Sequence, residues 1–199
     1  MEKRDIRICF VGDSFVNGTG DPDFLGWTGR VCRAALTDAF ELTHYNLGIR
    51  RDTSADIRRR WQAETTARLP ISSDNRVVFS FGVNDTTLEN GQPRVSPQDS
   101  IANARAILTQ AMRQYPTLMI GPLPIDDTDQ NARSKALDAS YAQLCAAISI
   151  PYLSVFNTMY NHHEWLDEVK RNDGAHPFAK GYTALAIVVQ AWDAWWFQA

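Results

Sequence analysis

The sequence predicts an α/β fold, a mainly parallel sheet covered by helices on both faces. Three observations carry this reading. Five short stretches rich in aliphatic, β-branched or aromatic residues recur along the chain, each too short for a typical helix. The segments between them are longer, and their apolar residues fall at helical spacing. No internal repeat, low-complexity block or linker interrupts the alternation, so the 199 residues read as a single domain over 1–199. Strands that alternate with helices at this spacing need crossover connections, which make the strands parallel and bury both faces of the sheet.

The first strand is IRICFV, Ile6 to Val11. Leu25 to Phe40 follows as a helix with Leu25, Val31, Leu36 and Phe40 inward, then LTHYNL, Leu42 to Leu47, as the second strand. Thr53 to Leu69 predicts the next helix, and RVVFSF, Arg76 to Phe81, the third strand. The DTTLENGQPRVSP stretch reads as a loop that ends in a helix start: Ser96 caps, Pro97 suits the first helical position, and Asp99 completes a capping box. The apolar side of that helix runs through Ile101, Ala104, Leu108, Ala111 and Met112 to a stop at Tyr115-Pro116. TLMIG, Thr117 to Gly121, is the fourth strand, Asn131 to Ile148 a helix, YLSVF, Tyr152 to Phe156, the fifth strand, and Ala179 to Trp196 the last helix.

Twenty Lys and Arg against 23 Asp and Glu leave a formal charge of -3 with the signs mixed, a balance that demands neither nucleic acid nor an anionic membrane as partner. One local exception is RRDTSADIRRR, where Arg50, Arg51, Arg58, Arg59 and Arg60 crowd together. No aromatic residues interleave them as a nucleic-acid surface prefers, so they read as a solvated helix face. Cys9, Cys32 and Cys145 are odd in number and form no C-x-x-C pair, which fits a reducing compartment without a disulfide framework or zinc knuckle. The first apolar run is too short for a signal-peptide core or a membrane span, and the expectation is a soluble, cytoplasmic protein.

In a parallel sheet of this type function collects in loops beyond the carboxyl ends of the strands. Gly12-Asp13-Ser14 follows the first strand, Asn46-Leu47-Gly48 closes the second, Gly82-Val83-Asn84-Asp85 follows the third, and Asp173-Gly174-Ala175-His176 precedes the last helix. A serine hydroxyl becomes a useful nucleophile when an imidazole takes its proton, and the imidazole needs an acid to hold its tautomer. Ser14, His176 and Asp173 supply those three roles if the final loop folds over the first strand. Reaction at a carbonyl also builds charge on oxygen, for which the Asn84 amide and the N–H groups of Ser14 and Gly48 are the candidate donors.

These motifs resemble the SGNH subgroup of the GDSL esterase and lipase family. Ser14, Gly48, Asn84 in G-x-N-D and His176 in D-x-x-H match its four motif residues, in the family's order, from Gly12 to His176. The resemblance implies a flavodoxin-like three-layer α/β/α sandwich, a five-stranded parallel sheet in the order 2-1-3-4-5, and ester hydrolysis through an acyl-enzyme without a cofactor. Phe15 stands where the family's short name has leucine, a change that removes no catalytic atom and suits packing beneath the nucleophile turn. The motif is not the G-x-S-x-G elbow, since no glycine stands two residues after Ser14.

Other features read blandly. Asp13 and Asp85 fit loop-fixing roles, and His44, His162 and His163 structural or rim positions. His162-His163-Glu164 lacks the spacing of H-E-x-x-H, so no metal site is expected, and Gly12 to Gly20 lacks the lysine of a phosphate loop. Pro122, Leu123, Pro124 and Ile125, beyond the fourth strand, are the expected apolar wall for substrate, which the family resemblance also supports. With no lid or extra domain in view, the expected partner is a small or medium ester; short acyl esters, sugar acetates, thioesters and lysophospholipids are all family chemistry. An acyltransferase using the same residues, or a carbohydrate or ligand-binding module on this fold, is the alternative. Trp192, Trp195 and Trp196 make an aromatic stripe that reads first as core and second as a homodimer contact.

Overall fold

The computed structural model describes residues 3–197. Strand β1 (Arg4–Gly12) leads through the short helices α1 (Ser14–Asn17) and α2 (Gly26–Ala34) to β2 (Phe40–Gly48). Helix α3 (Ser54–Thr66) returns to β3 (Asp74–Ser80), which runs into a 3-10 turn (Asn84–Thr86) and a small hairpin of β4 (Leu88–Glu89) and β5 (Gln92–Pro93). Helix α4 (Pro97–Ala111), β6 (Thr117–Ile120), α5 (Thr128–Ala147), β7 (Tyr152–Leu153), α6 (Phe156–Tyr160), α7 (His163–Arg171) and α8 (Ala179–Gln190) complete the order.

The main sheet runs β2-β1-β3-β6-β7 with all neighbours parallel, which is the order 2-1-3-4-5 once the hairpin is set aside. Alternation along β1 divides the core. Ile6, Ile8 and Phe10 pack into one apolar layer with Trp27, Val31, Val169 and Leu185, while Cys9 and Val11 face the other with Ile57, Trp61, Leu108 and Tyr141. Helices α2, α7 and α8 thus cover one face, and α3, α4 and α5 the other. At the carboxyl edge, Gly12 is paired with Gly48 on one side and Ser80 on the other, and Ser80 with Ile120. Four strands therefore end on one row, and their loops open on the same side.

Local chemistry moves several of the expected boundaries. The helix expected to reach Phe40 stops at Ala34, because Thr37 accepts from the Ala39 N–H in a competing turn and leaves Leu36 in solvent. Ser96 caps α4 through Asp99 N, yet its hydroxyl also donates to the Asp99 carboxylate. The reciprocal capping box is instead at Thr53 and Asp56, which start α3. The fifth strand is only two residues long. Ser154 donates to the Asp138 carboxylate as Tyr152 does at 2.6 Å, and the chain turns into α6 and α7, which the sequence reading did not anticipate.

The last helix also ends early, at Gln190, so the tryptophans lie in the turn that follows it rather than on a helical stripe. Trp195 is 2% exposed and its ring lies 6.4 Å from Phe10, while Arg76 sits over the Trp196 and Phe197 rings. The turn closes the lower end of the α2/α8 layer. Trp195→Ala is expected to destabilise the fold by about 3–5 kcal/mol, the usual cost of a large core truncation, read from urea denaturation.

Candidate active site

At the end of β1, Gly12 has no room for a side chain: a Cβ there would lie 2.0 Å from the Ser80 carbonyl oxygen. The chain then turns sharply into α1. Asp13 is its N-cap, with Oδ1 accepting from Phe15 N at 3.0 Å, and Gly18 closes it in the left-handed conformation. Ser14 is the first helical residue, so its N–H lies outside the intrahelical ladder.

The loop before α8 brings His176 over this turn. Ser14 Oγ lies 2.7 Å from His176 Nε2, and His176 Nδ1 lies 2.7 Å from Asp173 Oδ2. The other carboxylate oxygen of Asp173 accepts from the N–H groups of Ala175 and His176 at 3.0 and 2.8 Å. Burial alone would raise the Asp173 carboxyl, but these hydrogen bonds outweigh it and hold the group below its usual value. Asn172 Nδ2 donates to the His176 carbonyl, and Gly174 N to Val169 O, so Asp173 and His176 share one pinned turn. Ser14 and His176 are 5% and 8% exposed. Phe15 lies beside the imidazole, ring centres 5.0 Å apart, with Trp165 behind it at 6.1 Å.

Asn84 opens the 3-10 turn, and its Nδ2 donates to the Asp52 carbonyl at 3.0 Å and reaches Asp13 Oδ2 at 3.5 Å. One amide hydrogen is firmly held; the other makes only a long contact and is open to a better acceptor. Asp85 does fix this loop, accepting from Ser54 N at 2.7 Å and from the Ser100 hydroxyl, which meets Tyr141 Oη at 2.6 Å.

Two expectations change here. The Gly48 N–H is not a free donor, since it donates to Asn46 Oδ1 at 3.0 Å. What the position requires is the absence of a side chain: a Cβ would stand 2.1 Å from Asn17 N. Asn46, whose amide also donates to Val16 O at 2.7 Å, ties β2 to α1, a role for which the sequence signal is its place two residues before a strand-end glycine. Pro122, Leu123 and Pro124 do not line an open wall. They are buried, Leu123 in the core and Pro124 accepting from Trp165 Nε1, which leaves Ile125 half-exposed. Adjacency to a strand end does not reveal which way side chains turn.

The arginine cluster also divides. Arg59 pairs with Asp56 and Arg51 with Glu89 at the surface, but Arg58 donates to Asn103 and Arg60 turns inward beneath the strand ends. His162 is the N-cap of α7 and His163 its first residue. Among the described residues no three His, Cys, Asp or Glu side chains form a group suited to a metal ion, and no helix is long and apolar enough to cross a membrane.

Asp13 has a separate consequence for stability. Burial pushes its carboxyl up to about 7, against the opposing bond from Phe15 N. The folded chain then holds a proton there that the unfolded chain releases near pH 4, so stability through this group falls as pH rises across that window. Asp13→Asn keeps a capping oxygen. Its Tm is expected to gain on the wild type between pH 5 and pH 8, by an amount equivalent to a few kcal/mol.

A serine, an imidazole and a carboxylate in hydrogen-bonded series, beside an amide donor, can move a proton from a hydroxyl and stabilise an oxyanion. A family model described as GDSL-like Lipase/Acylhydrolase matches residues 10–184. No curated protein matches the chain. Similar solved structures include a lipase/acylhydrolase from Enterococcus faecalis, at 22% identity and TM-score 0.72, covering 95% of this chain and 93% of that one. Another is Axe2, an acetylxylan esterase from Geobacillus stearothermophilus, at 18% identity and TM-score 0.74, covering 98% of each chain. A member of the lipolytic protein G-D-S-L family from Veillonella parvula gives 16% identity and TM-score 0.70, covering 93% and 96%. At these identities the structural likeness is one of fold.

Proposed function

The chain belongs to the GDSL-like lipase/acylhydrolase family and is a carboxylic ester hydrolase; from that premise we propose that Ser14, His176 and Asp173 carry the reaction. The observation behind this assignment is the pair of 2.7 Å contacts that join the three side chains.

In the proposed reaction Ser14 Oγ attacks the acyl carbon as His176 Nε2 takes its proton. Asp173 holds the Nδ1 hydrogen and faces the imidazolium that forms. The C–O bond to the alcohol breaks, and His176 returns the proton to the leaving oxygen. Water then attacks the acyl-enzyme with His176 again as base, which frees the acid and restores Ser14. Ser14 N–H and the loosely held hydrogen of Asn84 are the oxyanion donors in this scheme, while Gly48, its N–H taken by Asn46, lets the end of β2 lie close against α1.

The inward packing of Pro122, Leu123 and Pro124 supports a short acyl group, because it withdraws the apolar surface a long chain would need. Acetyl esters, including sugar acetates of the kind suggested by the acetylxylan esterase it is similar to, are the substrates we put first. Three buried free cysteines support a cytoplasmic setting.

Steady-state hydrolysis of p-nitrophenyl esters from acetate to longer chains tests this reading, together with covalent labelling by a fluorophosphonate. The expected result is a kcat/KM that falls steadily beyond short acyl groups and a label found on Ser14. A label on another residue, or a preference for long chains, would overturn the assignment or the acyl size respectively.

A further inference from the structure

Arg60 stands in the middle of α3, in a run of arginines that reads as solvated, yet its side chain is only 15% exposed. Its guanidinium reaches the ends of two strands and the loop beyond them. Nη2 donates to the Gly12 carbonyl at 2.8 Å and Nη1 to the Leu47 carbonyl at 3.0 Å. Nε donates to Asp52 Oδ2 at 2.6 Å, and Nη1 also meets Glu64 on the next turn of the helix at 2.9 Å.

These acceptors are the immediate supports of the reacting groups. Gly12 is two residues before Ser14, and its carbonyl also accepts from Ile49 N at 3.1 Å. Leu47 precedes Gly48. The backbone carbonyl of Asp52 takes the firmly held hydrogen of Asn84, which fixes the direction of the other one. Carbonyls at the ends of parallel strands need donors, and a single planar fork can serve several at fixed angles. A lysine ammonium at the same position carries the charge without that geometry.

We propose that Arg60 is a positioning residue for the oxyanion pocket, binding the loops after β1 and β2 in one arrangement and aiming the Asn84 amide through Asp52. The inference rests on the proposed roles of Ser14 and Asn84. It assigns no contact between Arg60 and substrate. Its effect belongs to the chemical step, because misaligned donors weaken transition-state stabilisation more than ground-state binding.

Arg60→Lys and Arg60→Met test it on p-nitrophenyl acetate, with Arg68→Ala, which removes a donor to the Glu64 carbonyl near the end of the same helix, as the control for loss of stability. The expected result is a kcat about 10- to 100-fold lower in both Arg60 variants, with KM within about threefold of wild type, measured well below each Tm. In an Asn84→Ala background the same substitutions are expected to cost several-fold less than in the wild type, since one of the groups they aim is gone and only the loops after β1 and β2 are left to hold. Full additivity with Asn84→Ala, or a kcat loss no greater than that of Arg68→Ala, would overturn the proposal. Should the Arg60 variants fail to fold, Asp52→Asn takes their place: it keeps the carbonyl and weakens the ionic contact, and an unchanged kcat there would equally sink the idea. Retained activity in Ser14→Ala would be a different failure, that of the catalytic reading itself.

Discussion

Ser14→Ala is expected to lower kcat on p-nitrophenyl acetate by about 10⁴- to 10⁶-fold, with the Tm within a few degrees of wild type. The first half follows from the hydroxyl being the atom that meets His176 Nε2. With it gone, the imidazole can assist only water, and the acyl-enzyme route closes. The second half follows from the local fold. A serine at a strand-to-helix turn ordinarily earns its place as a cap, but the cap of α1 is Asp13, whose carboxylate already serves Phe15 N. The Ser14 hydroxyl therefore carries little of the turn's stability. A variant that unfolds, or one that keeps more than about a hundredth of the activity, would contradict this account; thermal melts beside steady-state rates decide it.

Asp173→Asn is expected to cost about 10²- to 10⁴-fold in kcat, with a small change in KM. The wild-type carboxylate does two jobs with two oxygens: one faces His176 Nδ1 and the other collects the N–H groups of Ala175 and His176. An asparagine has a single oxygen. If that oxygen stays on the backbone amides, its NH₂ meets Nδ1 and forces the tautomer that cannot accept the Ser14 proton. If it turns to Nδ1, the loop loses its two anchors. The pH profile adds a sign. Because the folded Asp173 lies below its usual value, its contribution is complete above pH 4 and is lost only as pH falls through that lowered value. Acid loss of wild-type activity above pH 5 therefore does not come from titration of Asp173, and an Asp173 carboxyl seen by NMR to titrate above pH 5 would refute the argument.

The sequence disclosed what chemistry restricts to a few residue types in fixed places. Ser14, Asn84, Asp173 and His176 stand at strand ends or before a helix, where few other residues could do the proposed work, and the alternation of short apolar runs with helical segments sets the layers. What stayed hidden depended on direction. Arg60 differs from Arg59 only in which side of α3 it leaves, and the carbonyls that attract it lie at the end of the preceding strand and at the end of β1, 48 residues away. The Gly48 N–H looked available because Asn46, two residues back, is equally at home pointing outward. Pro122 to Pro124 are apolar and well placed for a pocket, but the core claimed them first. The end of α8 is hidden too, since a turn that tucks Trp195 inward and a helix that runs on through Trp192 to Trp196 present similar apolar spacing.

The turn from Asn172 to His176 holds Asp173 and His176 together, pinned by its own hydrogen bonds. The serine, in contrast, arrives from 162 residues away. Mechanically, Asp173 and His176 form a preassembled cassette, which the serine turn meets through Oγ to Nε2, through the Phe15 ring beside the imidazole, and through the Thr19 carbonyl that accepts from the Tyr182 hydroxyl. If the proposed roles hold, the Oγ to Nε2 distance depends on how α2 and α8 pack, and substitutions in that layer are expected to change turnover without touching Ser14, His176 or Asp173.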